Sequence, residues 1–202
     1  MQFRRVELYG GAISCELPTT LQDMSQWRQV PDNQEMYSDV DTGATIIAEI
    51  LERQDTVPDK EAATFFYYDL ANANGCWKEQ CTLESTQSLE PSAVPGLAAG
   101  SSLPHYQPCA YICTADGTQL ISKYTNEKGK ESEVSVRIAV LRYEAPIAAE
   151  LMLSLSNPVK IHPESSDAKV IKRTLTAEES FLLFKRVVES LAIHNYGLFI
   201  TA

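Results

Sequence analysis

No stretch of this chain approaches the ~18 consecutive apolar residues that a membrane-spanning helix needs. Its opening, MQFRRVELYGG, has no apolar core for a secretory signal. A soluble, intracellular protein without a membrane role is expected on that basis. Basic residues are scarce: 17 Lys and Arg stand against 27 Asp and Glu, a net charge of −10. Nucleic acid and anionic lipid repel such a chain, whereas a basic protein surface attracts it. The same balance also serves solubility alone.

Catalytic signatures are missing too. No GxxxxGK[ST] loop, GxSxG elbow or HExxH helix occurs, and Gly129-Lys130 lacks the glycine frame of a phosphate loop. Histidine is limited to His105, His162 and His194, expected in a loop, a polar connection and a helix end. A helix dipole would account for the last of these. The five cysteines form an odd set without secretory context, so free thiols are expected. Cys109 and Cys113 lie in a strand-like segment, where four residues span ~13 Å, too far for one metal ion without a bend. Cys76 and Cys81 flank Trp77 and Lys78 in no recognisable finger spacing. No metal site, cofactor or enzymatic activity is called for.

What is present is a core. Hydrophobic residues make up 44% of the 202 residues and charged ones 22%, ordinary values for a globular chain. Residues 11–17 alternate Ile13, Cys15 and Leu17 with polar partners, as a half-buried strand does. Pro31-Asp32-Asn33 signals a turn, residues 36–39 a short strand, and Asp41-Thr42-Gly43 a hairpin turn. The run ATIIAEIL (44–51) is almost continuously apolar and predicts a central strand covered on both faces. Pro58 and Asp59 start a helix on which Ala62, Phe65, Phe66 and Leu70 recur at helical spacing, closed by residues 72–75.

A strand follows at 79–89. Residues 90–108, with four prolines and two glycines, read as a flexible loop within a single domain spanning 1–202. Asp116-Gly117 predicts a hairpin between CAYICT and QLISKYT. A charged turn is expected at 126–131, long strands at 134–143 and 149–156, and a polar connection at 158–172. Thr176 and Glu179 form a capping box before Phe181, Phe184, Val188 and Leu191, on a helix expected to end near His194. Antiparallel strands with two amphipathic helices make an α+β sandwich.

Among many carboxylates two groups stand out. Asp32 and Glu35 are three apart, which on one turn-like step places both on one face. Glu49 interrupts the most apolar strand and Glu52 ends it. A carboxylate in a buried strand should be paired or functional. For Asp32 the alternative is simple turn chemistry, and for Glu49 an internally paired or edge-facing residue.

Two runs, VELYGGAISCELP (6–18) and VPDNQEMY (30–37), resemble the Ran guanine nucleotide release factor family. The family's L-[FY]-G-G-A-[IF] opening corresponds to Leu8-Tyr9-Gly10-Gly11-Ala12-Ile13. Its D-x-S-x-x-R-x-V-P-D-x-Q-E pattern runs from Asp23 through Ser25, Arg28 and Val30-Pro31-Asp32 to Gln34-Glu35. Its next strand matches Ala44 to Glu52, and the helix at 60–70, Ala139-Val140-Leu141-Arg142 and Leu198-Phe199 also fit. The resemblance spans nearly the whole chain and is tightest over 6–52; residues 90–108 and 160–172 depart from it.

The resemblance implies a PsbP-like α/β/α fold, a mostly antiparallel sheet between helices. It also implies binding to the GTPase Ran and promotion of guanine nucleotide release in nuclear protein import, in nucleus and cytoplasm, by a non-catalytic regulator; a monomer is expected because nothing in the sequence calls for an obligate dimer. It leaves open whether a Ran-binding co-regulator takes part. The family's binding acids fall on Asp32 and Glu35. Arg28, Gln34, Glu49 and Glu52 are further candidates because they neighbour that motif. Gly10 and Gly11 are expected to let the backbone turn into the first strand. Replacing Asp32 or Glu35 by alanine is expected to weaken Ran binding while leaving folding intact. The alternative is a PsbP-like binding or assembly module with another partner; an enzyme using Glu49 or a cysteine has no motif behind it.

Overall fold

The structure is a computed structural model that describes residues 1–122 and 129–199. Its strands are β1 (Phe3–Leu8), β2 (Ile13–Pro18), β3 (Gln22–Asp23), β4 (Gln34–Ser38), β5 (Thr45–Glu52), β6 (Cys81–Leu89), β7 (Tyr111–Ile121), β8 (Ser132–Tyr143), β9 (Ala149–Lys160) and β10 (Ala192–Ile193). The helices are α1 (Asp59–Ala73), α2 (Pro95–Ala99) and α3 (Ala177–Glu189). Seven strands form one antiparallel sheet in the order β3-β4-β5-β9-β8-β7-β6, and β1-β2-β10 form a second, smaller sheet. The chain is therefore an α+β fold built on antiparallel sheets.

Strand periodicity divides the large sheet into two cores. Val134, Val136, Ile138 and Val140 of β8 point to one side, where Ala62, Ala63, Phe66 and Tyr67 of α1 meet them. Ala139, Leu141 and Tyr143 point to the other side. There they join Ile46, Ala48 and Ile50 of β5, Ile13, Cys15 and Leu17 of β2, and Leu183, Phe184, Val187 and Val188 of α3. The layer opposite α1 is thus a small sheet plus a helix, a more mixed arrangement than a helix-sheet-helix sandwich. The strand covered on both faces is β8, whose run of apolar residues is explained by it.

β5 differs from its expected double coverage. Ile46, Ala48 and Ile50 are buried, whereas Thr45, Ile47, Glu49 and Leu51 are only partly so. The reason is that α1 packs against β6, β7 and β8 and leaves the β4–β5 part of that face open. The start of α1 is held by a buried ion pair. Arg142 and Glu150, both 0% exposed, are bonded at 2.8–2.9 Å, and Arg142 also reaches Asp59 Oδ1 at 2.7 Å and the carbonyls of Val57 and Gln54. The Arg142 bonds to Asp59, Val57 and Gln54 tie the β5–α1 connection to β8, and the Arg142–Glu150 pair joins β8 to β9.

Five further expectations give way. Asp116-Gly117 lies inside an uninterrupted β7, paired with β8 throughout. Gly117 is required there by close approach, since a Cβ would sit 2.2 Å from Thr82 O and 2.4 Å from the Tyr67 hydroxyl. Asp116 faces Arg137 across the ladder and pairs with it. Residues 90–108 contain a 3-10 turn and α2, and Val94 and Leu97 are buried in the main core, so apolar contact ties this segment down. On the helices, Phe65 and Phe181 are exposed, and Tyr67 and Leu183 take the buried positions. The capping box of Thr176 and Glu179 is present, but α3 ends at Glu189, so His194 follows β10 and bonds Ser14 Oγ at 2.7 Å in place of a helix end. The charged turn expected at 126–131 falls largely outside the described residues, and β9 runs on to Lys160 into the segment expected as a connection.

Candidate partner-binding site

Turn chemistry and strand pairing assemble the motif residues at one end of the β4–β5 hairpin. Residues 31–34 make a tight turn, with Gln34 N–H donating to Pro31 O at 2.9 Å. Asn33 then locks the turn onto β5: its carbonyl accepts from Ile50 N–H at 2.9 Å and its amide donates to Ile50 O at 3.2 Å. Asp32 is left exposed at the tip, and its side chain makes no hydrogen bond or ion pair among the described residues.

Beyond the turn the period of two separates the candidates. Gln34, Met36 and Glu49 share the face that α1 leaves open, since Gln34 pairs directly with Glu49 in the ladder. The Gln34 amide donates to Glu49 Oε1 at 2.8 Å, with Asn33 Nδ2 at 3.4 Å from the same oxygen. Glu49 is therefore internally hydrogen-bonded and still half-exposed. Arg28 is exposed and lies over the same face, its guanidinium donating to Met36 Sδ at 2.8 Å. The neighbouring Trp27 indole, 72% exposed, lies on the other side, along a concavity with Arg4, Arg5 and Tyr37.

Glu35 points the other way. Its Oε1 accepts the Tyr9 backbone N–H at 2.6 Å. Glu35 and Asp32 thus do not share a face through a single turn; the turn ends at Gln34 and the strand turns Glu35 inward. Glu52, three residues after Glu49 on a strand, takes the opposite parity and stands exposed at the end of β5, apart from the Gln34–Glu49 pair.

Tyr9 is the residue that sequence reasoning passed over. Its hydroxyl lies 3.0 Å from Asn33 O and 2.9 Å from Ala48 O, bridging the turn and β5. Burial, and then the carboxylates of Glu35 and Glu49, raise its phenol well above the usual range, so it stays a neutral donor. Tyr9 itself adopts φ 51°, a conformation costly for a side chain with a Cβ, and Gly10 and Gly11 follow at φ 63° and 92°. The glycines do turn the backbone into β2, and Glu35 and the phenol hold the strained step in place. The available signal was the Leu8-Tyr9-Gly10-Gly11 run itself, with an aromatic directly before two residues suited to positive φ.

The assembled arrangement is a rim: an exposed carboxylate at Asp32, a hydrogen-bonded one at Glu49 and a cation at Arg28. Among the described residues no three His, Cys, Asp or Glu side chains converge as metal ligands. The rim can recognise a surface of complementary charge, and nothing in it is arranged as nucleophile and base.

The family model described as "Ran-interacting Mog1 protein" matches residues 6–158. The chain is 32% identical to a Ran guanine nucleotide release factor of Danio rerio, over 95% of this chain and 97% of that one. It is 27% identical to a probable Ran guanine nucleotide release factor of Dictyostelium discoideum, over 98% and 97%. Its fold matches the crystal structure of the Saccharomyces cerevisiae Ran-binding protein Mog1p with a TM-score of 0.69 at 24% identity, over 98% and 99% of the two chains. With most of its length matched by the family model and by full-length relatives, this chain belongs to the Ran-interacting Mog1 family.

Proposed function

We propose that this chain binds the GTPase Ran and promotes release of its guanine nucleotide, as a non-catalytic regulator of traffic between nucleus and cytoplasm. The observation that carries the reading is the similarity along nearly the full chain to a protein named for that activity. The rim described above is the proposed contact. Asp32 offers a carboxylate unpaired among the described residues, Glu49 a carboxylate held in place by Gln34 and Asn33, and Arg28 the flanking contact. Glu52 extends the acidic edge. Glu35 contributes chiefly by holding the Tyr9 step against the turn that presents Asp32.

A release factor does no bond chemistry. It binds nucleotide-free or distorted GTPase more tightly than the nucleotide-bound form, and the coupling is reciprocal. Each tenfold weakening of nucleotide affinity requires ~1.4 kcal/mol of differential binding. Carboxylates that capture basic side chains otherwise serving the nucleotide can supply it, because a close charge pair at an interface is worth roughly 1.5–7 kcal/mol in coupling.

The test is release of a fluorescent guanine nucleotide from purified Ran, with and without this protein, at moderate salt. Acceleration is expected, reduced about tenfold by Asp32→Ala (~1.4 kcal/mol) with the thermal midpoint unchanged. The absence of both acceleration and Ran binding by the unmodified chain would refute the function. Acceleration that Asp32→Ala and Glu49→Gln both leave intact would refute the site alone.

A further inference from the structure

At the edge of the large sheet farthest from β3 and β4, two cysteines flank one turn. Residues 76–81 link the end of α1 to the first residue of β6, and a 3-10 turn at Lys78–Gln80 folds them back. Gln80 clamps this turn twice: its N–H donates to Trp77 O at 2.7 Å, and its Oε1 accepts Trp77 N–H at 3.1 Å. Cys76 Sγ packs inside it against Gln80 O at 3.2 Å, and Cys81 Sγ against Lys78 O at 3.7 Å. Cys76 Sγ thus touches the carbonyl of the peptide that leads directly into Cys81. Both cysteines line an open concavity of about 390 Å³, with Lys78, Trp77 and Tyr68 around them. Cys15, Cys109 and Cys113 are buried in the cores and share none of these features.

We propose that Cys76 and Cys81 form a reversible oxidation site, in which hydrogen peroxide converts the two thiols to a disulfide that ties the end of α1 to the start of β6. Cys81 is the more exposed partner and reacts first. Its thiolate attacks the O–O bond, leaving a sulfenic acid and releasing water after proton uptake. The Cys76 sulfur then attacks the Cys81 sulfur, and the sulfenic oxygen departs as a second water carrying the Cys76 proton. Two thiols lose two protons and two electrons, and the peroxide takes up both to give two waters. Lys78 on the same wall supplies positive charge where the thiolate forms. Burial raises the Cys76 thiol, which suits it to the resolving step over the first attack.

The experiment uses the full chain and hydrogen peroxide, followed by denaturation and alkylation of the remaining thiols. Two of the five thiols are expected to be lost and to return on treatment with dithiothreitol. Trypsin cuts after Lys78, between the two cysteines, so the disulfide appears as two joined peptides. A further cut after Glu84 separates Cys81 from Cys109 and Cys113. Cys81→Ser and Cys76→Ser should each abolish the link. Five alkylatable thiols after peroxide would overturn the proposal. So would sulfinic acid at Cys81 with Cys76 still free, or a link that joins two chains. None of these readouts involves Ran, so this site stands or falls apart from the function proposed above.

Discussion

Replacing Glu35 by alanine should cost stability as well as binding, and the two losses can be separated. The carboxylate accepts the Tyr9 N–H at 2.6 Å, and the same tyrosine holds φ 51° while its hydroxyl bridges Asn33 and Ala48. A hydrogen bond to a charged group contributes ~1.5–3 kcal/mol, and alanine leaves the amide without its partner. With a urea slope of roughly 2 kcal/mol per molar, a loss of about 2 kcal/mol lowers the unfolding midpoint by about 1 M. Glu35→Gln keeps an oxygen for the amide, so its loss should be about 1 kcal/mol, within the range of a neutral hydrogen bond. Urea unfolding of the three proteins, followed by Ran binding in the absence of denaturant, makes the comparison. An unchanged midpoint for the alanine variant would refute the role assigned to this contact. Full Ran affinity in the glutamine variant would identify Glu35 as a positioning residue, and affinity lost in both variants as a direct charge contact.

Two other outcomes follow from the packing. Gly117→Ala places a methyl group against Thr82 O and the Tyr67 hydroxyl, both backed by paired strands, so a loss of ~3 kcal/mol or more is expected in denaturant unfolding; a loss under about 1 kcal/mol would mean that α1 yields easily. Burial raises Tyr37 and Tyr196 to about 12, above the free phenol value. Such a group stabilises the fold fully below pH ~10 and loses its contribution as the pH climbs toward the folded value, so the urea midpoint should fall steadily between pH 10 and 12, by up to ~1.4 kcal/mol per pH unit for each phenol. A flat midpoint over that range would contradict the burial of these hydroxyls.

Several features of this chain are readable without coordinates because they rest on local chemistry. Pro58 and Asp59 start α1 where expected, and Thr176 and Glu179 cap α3 reciprocally. The Asp41–Gly43 turn joins β4 to β5, with Gly43 at φ 72°. The same locality explains the errors. Asp116-Gly117 has the composition of a turn, yet its glycine answers to Tyr67, fifty residues earlier and on another element. Val94 and Leu97 look isolated among prolines and glycines, and only the arrival of β10 and α3 gives them a core to enter.

The candidate site divides in the same way. Residue identity alone marked Asp32, Glu35, Gln34 and Arg28, through a run of motif positions, and the strand carrying Glu49 and Glu52. Which of them meet was decided by the fold. Pairing of β4 with β5 sets Gln34 beside Glu49, the two-residue period turns Glu35 and Glu52 away from that face, and a chain reversal of more than twenty residues brings Tyr9 under the turn. The sequence by itself determined most strands, the two long helices and the acidic motif, because propensity, capping and turn chemistry act within a few residues. Only the tertiary structure decided which face of β5 is open, which carboxylate is free to meet a partner and which is already holding the fold, because those depend on what distant segments cover.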